Sequence, residues 1–173
     1  MRILQFAAGL ALVCIAVAGC NFSSSNPSNA SNLDGSKYLL GSEPEGGQDV
    51  IEVRKTAQND DEVVIVGKIG GSVKPWADGQ AAFWIVDRSI KSCRDIDEDH
   101  CATPWDYCCE PNESLAPAMA LVKVVDENGA VVSANAKELL GLKELDTVVA
   151  RGTAERDMDG NLNVLVTSVY VRN

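Results

Sequence analysis

The chain predicts a mainly β domain, a small five-to-six-stranded barrel with a short helix between its third and fourth strands. Three observations predict it. After residue 60, five segments are rich in β-branched and apolar residues, each bounded by Gly, Pro, Asn or Asp. The first of these carries Gly67 in mid-strand, where a barrel needs a sharp bend. One capped helical pattern interrupts the series. With 173 residues and 46% hydrophobic composition, one core in one domain is expected.

The elements follow in chain order, beginning with a leader. "MRILQFAAGLALVCIAVAGC" has a cationic start at Arg2, an apolar run from Ile3 to Val17 and a small-residue exit, the plan of a signal peptide. The run is shorter than the roughly 20 apolar residues of a spanning helix, and polar linker follows it. The exit "VAGC" resembles the lipobox of bacterial lipoproteins. That resemblance implies that residues 1–19 are removed together with Cys14, and that Cys20 is acylated and anchors the chain. Each buried methylene of such an anchor contributes roughly 0.8 kcal/mol, so the acyl chains hold the domain on the membrane without spanning it. Asn21 stands where, in those families, an aspartate would favour retention in the inner membrane. The expected location is therefore extracytoplasmic, with the outer membrane favoured and the domain facing the periplasm.

Residues 20–36 read as the lipidated cysteine and a flexible tether, because "NFSSSNPSNASNLDGS" buries too little apolar surface to offset its ordering entropy. Such a chain reaches on the order of 20 Å. Loss of Arg2 with the leader takes the net charge from −10 to −11. An acidic chain with no basic stripe is not a nucleic-acid binder. Residues 37–60 form an N-terminal extension, in which Val50, Val53 and Ala57 fall at helical spacing behind Asp49 as a cap.

The barrel is expected over residues 61–173. "EVVIVGKIGG" (62–71), "AAFWIVD" (81–87) and "AMALVKVVD" (118–126) are its first three strands, and "ENGAVV" adds a turn and a short strand. Asn135 with Glu138 matches a capping box, Leu139 and Leu142 give the helix its apolar side, and Gly141 ends it. "DTVVARGTAE" and "NLNVLVTSVYV" form a final hairpin across "RDMDG". That order of strands and helix resembles the OB-fold, a Greek-key barrel, and "GLKELDTVVARGTAERDMDGNLNVLVTSVYV" is similar to the last third of bacterial extracytoplasmic OB domains. "GKIGGSVKPWADGQAAFWIVD" with "CATPWDYCCE" also resembles a group of planctomycete-type bacterial lipoproteins, a likeness that implies location and fold and no activity.

About thirty residues, 88–117, separate the second and third strands, where hairpin loops usually take about 2 to 5. In an oxidising compartment, disulfides would order them. The candidates are Cys93, Cys101, Cys108 and Cys109. Neighbours across a trans peptide have Cα atoms about 3.8 Å apart, below the roughly 4.4 to 6.8 Å of a bridge, which disfavours a Cys108–Cys109 ring. Two pairings remain, Cys93–Cys108 with Cys101–Cys109, or Cys93–Cys109 with Cys101–Cys108. The alternative is a metal held by Cys93, Cys101, Cys108 and Cys109, with His100 able to replace one of them. Against it, structural zinc sites draw ligands in pairs about two to four residues apart, and adjacent residues reach one ion only by distorting the backbone. No Cys-x-x-Cys pair supports redox chemistry, and no cofactor is expected.

Asp95, Asp97, Glu98 and Asp99, and the "DMDGN" turn, fit a solvated charge run and a hairpin better than an EF-type calcium loop. Trp105 is expected to pack beneath the disulfides. OB barrels bind through the face of strands two and three and through loops after strands one and four, so Trp76, Phe83, Trp84 and Lys123 mark the candidate ligand surface. The cysteine loop should leave from the end away from Trp76 unless it folds back across the face. With one histidine, His100, and no Gly-x-Ser-x-Gly elbow, the chain does not read as an enzyme. The expected function is a membrane-anchored, non-catalytic binding or assembly module for an envelope protein or small ligand. The alternative is a metal or thiol-redox carrier using the Cys93–Cys109 loop.

Overall fold

The computed structural model describes residues 33–97 and 100–172. The expected signal peptide, the lipidated Cys20 and the tether through residue 32 lie outside the described residues, as do Glu98 and Asp99. Structure begins within the expected tether. Gly35–Tyr38 form a 3-10 turn whose cap, Asp34, accepts the Ser36 amide at 2.9 Å. Position 35 requires glycine because an added Cβ would stand 1.8 Å from the Leu139 carbonyl oxygen.

The described elements are β1 (Gln48–Asp49), α1 (Val50–Thr56), β2 (Glu62–Ile69), β3 (Ala82–Val86), α2 (Asn112–Leu115), β4 (Met119–Val124), α3 (Ala136–Leu140), β5 (Thr147–Arg156) and β6 (Leu162–Arg172). Strands run in the order β2–β3–β4–β6–β5, and β5 returns to pair with β2, so the sheet closes. Pairing around the ring is antiparallel except between β4 and β6. Five strands closed in this order, with a helix between the third and fourth, make a small OB-fold-like barrel. The sixth strand, β1, was not expected. It runs parallel to β2 at Ile65 and Val66, on the edge that β3 reaches only at Lys68 and Ile69. It covers an edge that would otherwise invite foreign strands.

Alternation fixes which side chains enter the barrel. On β4, Ala120, Val122 and Val124 are buried while Met119, Leu121 and Lys123 are partly exposed. Two glycines let strands approach. A Cβ at Gly67 would stand 2.9 Å from the Val86 carbonyl oxygen, and one at Gly152 would stand 2.0 Å from that of Leu165. Gly152 adjoins a register shift between β5 and β6, the bulge that bends β5 enough to serve both neighbours.

The extension packs into the same core, since Tyr38, Val50 and Val53 are buried there. Asp49 precedes α1 but makes no capping bond through its side chain; its carboxylate instead takes Arg88 at 2.5 and 2.8 Å. Asp87, buried at the end of β3, caps the helix by accepting the Ile51 amide at 2.7 Å. At the other end, Arg156 donates to the carbonyls of Arg54 and Ala57, placing a cation where helix carbonyls are unpaired.

The expected strand in "ENGAVV" is reduced to one bridge, Val125 to Val131. Asp126 accepts the Asn128 and Ala130 amides at 2.8 and 3.0 Å, and so tightens the segment into a turn. Asn135 caps α3 by accepting from Lys137 and Glu138, and Gly141 ends it at φ 65°. The buried side of that helix is Ala136 and Leu140, with Leu142 beyond; Leu139 is only partly buried. Among the described residues no helix is long and apolar enough to cross a membrane.

Candidate functional site

The long loop after β3 folds back onto the end of β2 and does not keep to the opposite end of the barrel. Gly70 and Gly71 form its seat. A Cβ at Gly70 would stand 2.5 Å from the Trp105 carbonyl oxygen and 2.9 Å from the Tyr107 ring. The Gly71 amide donates to that carbonyl at 2.8 Å, and the Trp105 indole donates to the Val73 carbonyl at 3.2 Å. A second tie is Asp95, which accepts from Lys68 of β2 at 3.0 Å and from the Ser92 amide and hydroxyl at 3.0 and 2.8 Å. Burial would raise the Asp95 carboxyl, but these donors outweigh it and hold the group below its ordinary value.

Tyr107, not Trp105, is the loop's apolar anchor. It is fully buried with Val86 and Leu115, and Ile90, Met119 and Leu145 pack against this second cluster. Its backbone is left-handed, at φ 59°, and among the described residues its buried hydroxyl has no hydrogen-bond partner. Burial, then the charge of Asp95, pushes the phenol far above its usual range.

Around Tyr107 the sulfurs converge. Cys93 Sγ lies 3.6 Å from Cys108 Sγ and 3.7 Å from Cys109 Sγ, and Cys101 Sγ lies 3.6 Å from Cys108 Sγ. A disulfide needs about 2.05 Å, so neither expected pairing is closed, and no disulfide is present among the described residues. Cys93 touches Cys108 and Cys109, and Cys108 touches Cys93, Cys101 and Cys109, so the arrangement is a cluster rather than a set of pairs. The left-handed turn at Tyr107 immediately precedes adjacent Cys108 and Cys109, both of which contact Cys93.

Asp106 belongs to the same cluster. The side-chain ligand atoms of Cys93, Cys101, Asp106 and Cys108 lie within 4.8 Å of one another. One Asp106 oxygen accepts the Cys108 amide at 2.9 Å, and the other accepts the Thr103 hydroxyl at 2.7 Å. Burial opposes ionisation of Asp106, but Thr103 and Cys108 outweigh it and hold the carboxyl below its ordinary value. Bonding to Cys93, then Cys101, with Asp106 alongside, pushes the Cys108 thiol well above its own. His100 is exposed and does not join the group. The signals for this geometry in the sequence are the Gly70–Gly71 pair and the "DYCC" string; nothing in them marks Asp106 as the organiser.

The barrel-face candidates separate. Phe83 is wholly buried inside the barrel and offers no surface. Trp76 packs on Phe83 with ring centroids 5.9 Å apart, and its indole donates to Glu144 at 2.8 Å. The Lys137 ammonium stands 5.6 Å from its centroid. Trp84 and Lys123 remain on the outer face, where Trp84 pairs with Leu121 and Lys123 with Ala82. Lys123 also lies 3.7 Å from Glu155. Leu121, which sequence reasoning missed, completes a partly exposed strip of Trp84, Leu121 and Lys123. The next rung, Val86 with Met119, is covered by the Tyr107 cluster.

The class so defined is a small OB-like barrel with a thiol-rich loop closing one end of its outer face. No family model and no curated protein matches the chain. Among solved structures it is similar to the "putative aspartyl-tRNA synthetase from Leishmania major Friedlin", at 11% identity and a TM-score of 0.38. The match covers 76% of this chain and 21% of that one. A likeness of that size says nothing about what this chain binds.

Proposed function

We propose that the protein is a lipid-anchored, extracytoplasmic and non-catalytic module that holds an envelope partner on the outer face of β3 and β4. The observation that carries this reading is the strip of Trp84, Leu121 and Lys123, an aromatic, an aliphatic and a cation side by side on the face through which OB barrels bind. Aromatic anchors beside a charged group are the composition of interface hot spots. The acidic balance of the chain argues against a nucleic-acid partner.

The test is capture of envelope proteins by the immobilised full chain in detergent, beside Trp84→Ala and Lys123→Glu. Loss of a hot-spot aromatic costs about 2 kcal/mol, so Trp84→Ala should weaken capture by about 30-fold. Lys123→Glu should weaken it as well, with only a small fall in the melting temperature from loss of the exposed Glu155 pair. Capture unchanged in both variants overturns this reading. The converging sulfurs favour a second reading, in which the Cys93–Cys109 loop carries a metal. A thiol-redox version still lacks a Cys-x-x-Cys pair.

A further inference from the structure

We infer that the loop binds one zinc ion between the sulfurs of Cys93, Cys101, Cys108 and Cys109, with Asp106 outside the tetrahedron holding the ligands in place. The inference stands on loop geometry alone and not on the barrel-face reading.

The distances fit a cage better than a cross-link. A zinc–sulfur bond of about 2.3 Å in a tetrahedron separates neighbouring sulfurs by about 3.8 Å. Three of the six sulfur separations, at 3.6, 3.7 and 3.6 Å, lie close to that edge. The four ligand atoms already within 4.8 Å of one another are those of Cys93, Cys101, Cys108 and Asp106, so Cys109, held beside Cys93, completes the tetrahedron by moving in toward the place of the Asp106 carboxylate. Disulfide pairing would instead draw each sulfur to one neighbour and away from the rest.

Backbone geometry is already shaped for a cage. A left-handed turn at Tyr107 leads into the two consecutive cysteines, both in contact with Cys93, the Cys93 amide is held by the Pro104 carbonyl at 3.1 Å, and the Gly70–Gly71 seat fixes the turn against β2. Asp106 is the positioning residue. Both its oxygens are engaged, by Thr103 and by the Cys108 amide, and Oδ1 stands 3.9 Å from the sulfurs of both Cys93 and Cys101. It joins the loop before and after itself, as outer-shell carboxylates do around metal ligands.

Binding moves protons and no electrons. Four thiols and one Zn²⁺ give a four-thiolate complex of net charge −2, and the four displaced protons go to solvent. Cys93 is buried while Cys108 and Cys109 are exposed, so one side of the ion faces water and the metal can exchange.

The test uses the full chain in detergent, reduced and then titrated with Co²⁺ as a spectroscopic substitute for Zn²⁺. The expected result is one cobalt per chain, with the intense visible bands of tetrahedral geometry, thiolate charge transfer and displacement by zinc. Cys101→Ser and Cys109→Ser should each lower the affinity by more than the roughly 10- to 100-fold that outer-shell changes cost. Asp106→Asn should cost within that range and keep the four-thiolate spectrum, and His100→Ala should change nothing. Cys109→Ser alters an exposed side chain, and its melting curve shows whether the barrel persists. Three results would each overturn the assignment: no cobalt bound by the reduced chain, a spectrum unchanged by Cys109→Ser, or two disulfides that persist at equilibrium with zinc and reductant.

Discussion

Trp76 shows how far a residue's role depends on partners distant in sequence. Read along the chain, it is an aromatic in a loop and so a ligand anchor; in the fold its indole is taken by Glu144, 68 positions later. Burial raises the Glu144 carboxyl, but Lys137, at 2.7 and 3.0 Å, and Trp76 outweigh it and hold the group below its ordinary value. Because the folded-state value lies below the unfolded one, the stabilisation is full above the unfolded pKa of about 4.3 and is lost as the pH falls through the folded value. Glu144→Gln should therefore cost about 1 kcal/mol at neutral pH. In urea titrations the gap from the parent chain should close in acid. A gap that stays constant down to the acid transition would contradict the role given to the carboxylate. Tyr107 is the second residue whose role was hidden, because a left-handed non-glycine residue leaves no compositional trace.

At the scale of elements, much was legible. Alternation located the five barrel strands, and Asn135 and Gly141 bounded α3, because those signals are local. What was missed depends on tertiary contact. β1 exists only because part of the β2 edge is open to it, and the cap of α1 comes from Asp87 rather than from Asp49 next to it. The glycines divide in the same way. Gly152→Ala should destabilise by about 3 kcal/mol, because backbone and not a movable side chain fills the space of its Cβ. Gly141→Ala meets open space and only the left-handed penalty, so about 1 kcal/mol is expected. Equal losses in denaturant melts would mean that the bulge does not rely on Gly152.

At the scale of the whole molecule, the barrel carries a thiol loop laid across one end of its outer face. The proposed anchoring has a direct readout: if acyl chains on Cys20 supply the membrane affinity, Cys20→Ser should move the protein from the membrane fraction to the aqueous one. Retention of that variant in the membrane would mean that something else holds it. Composition located the four cysteines in one loop, and the length of the loop implied that they order it. Whether they do so in pairs or around an ion was not legible, because spacing along the chain does not report that Cys108 and Cys109 both contact Cys93. The most direct measurement is X-ray absorption at the zinc edge on the zinc-loaded full chain. The account predicts four sulfur neighbours at about 2.3 Å, whereas a shell dominated by nitrogen or oxygen would contradict it.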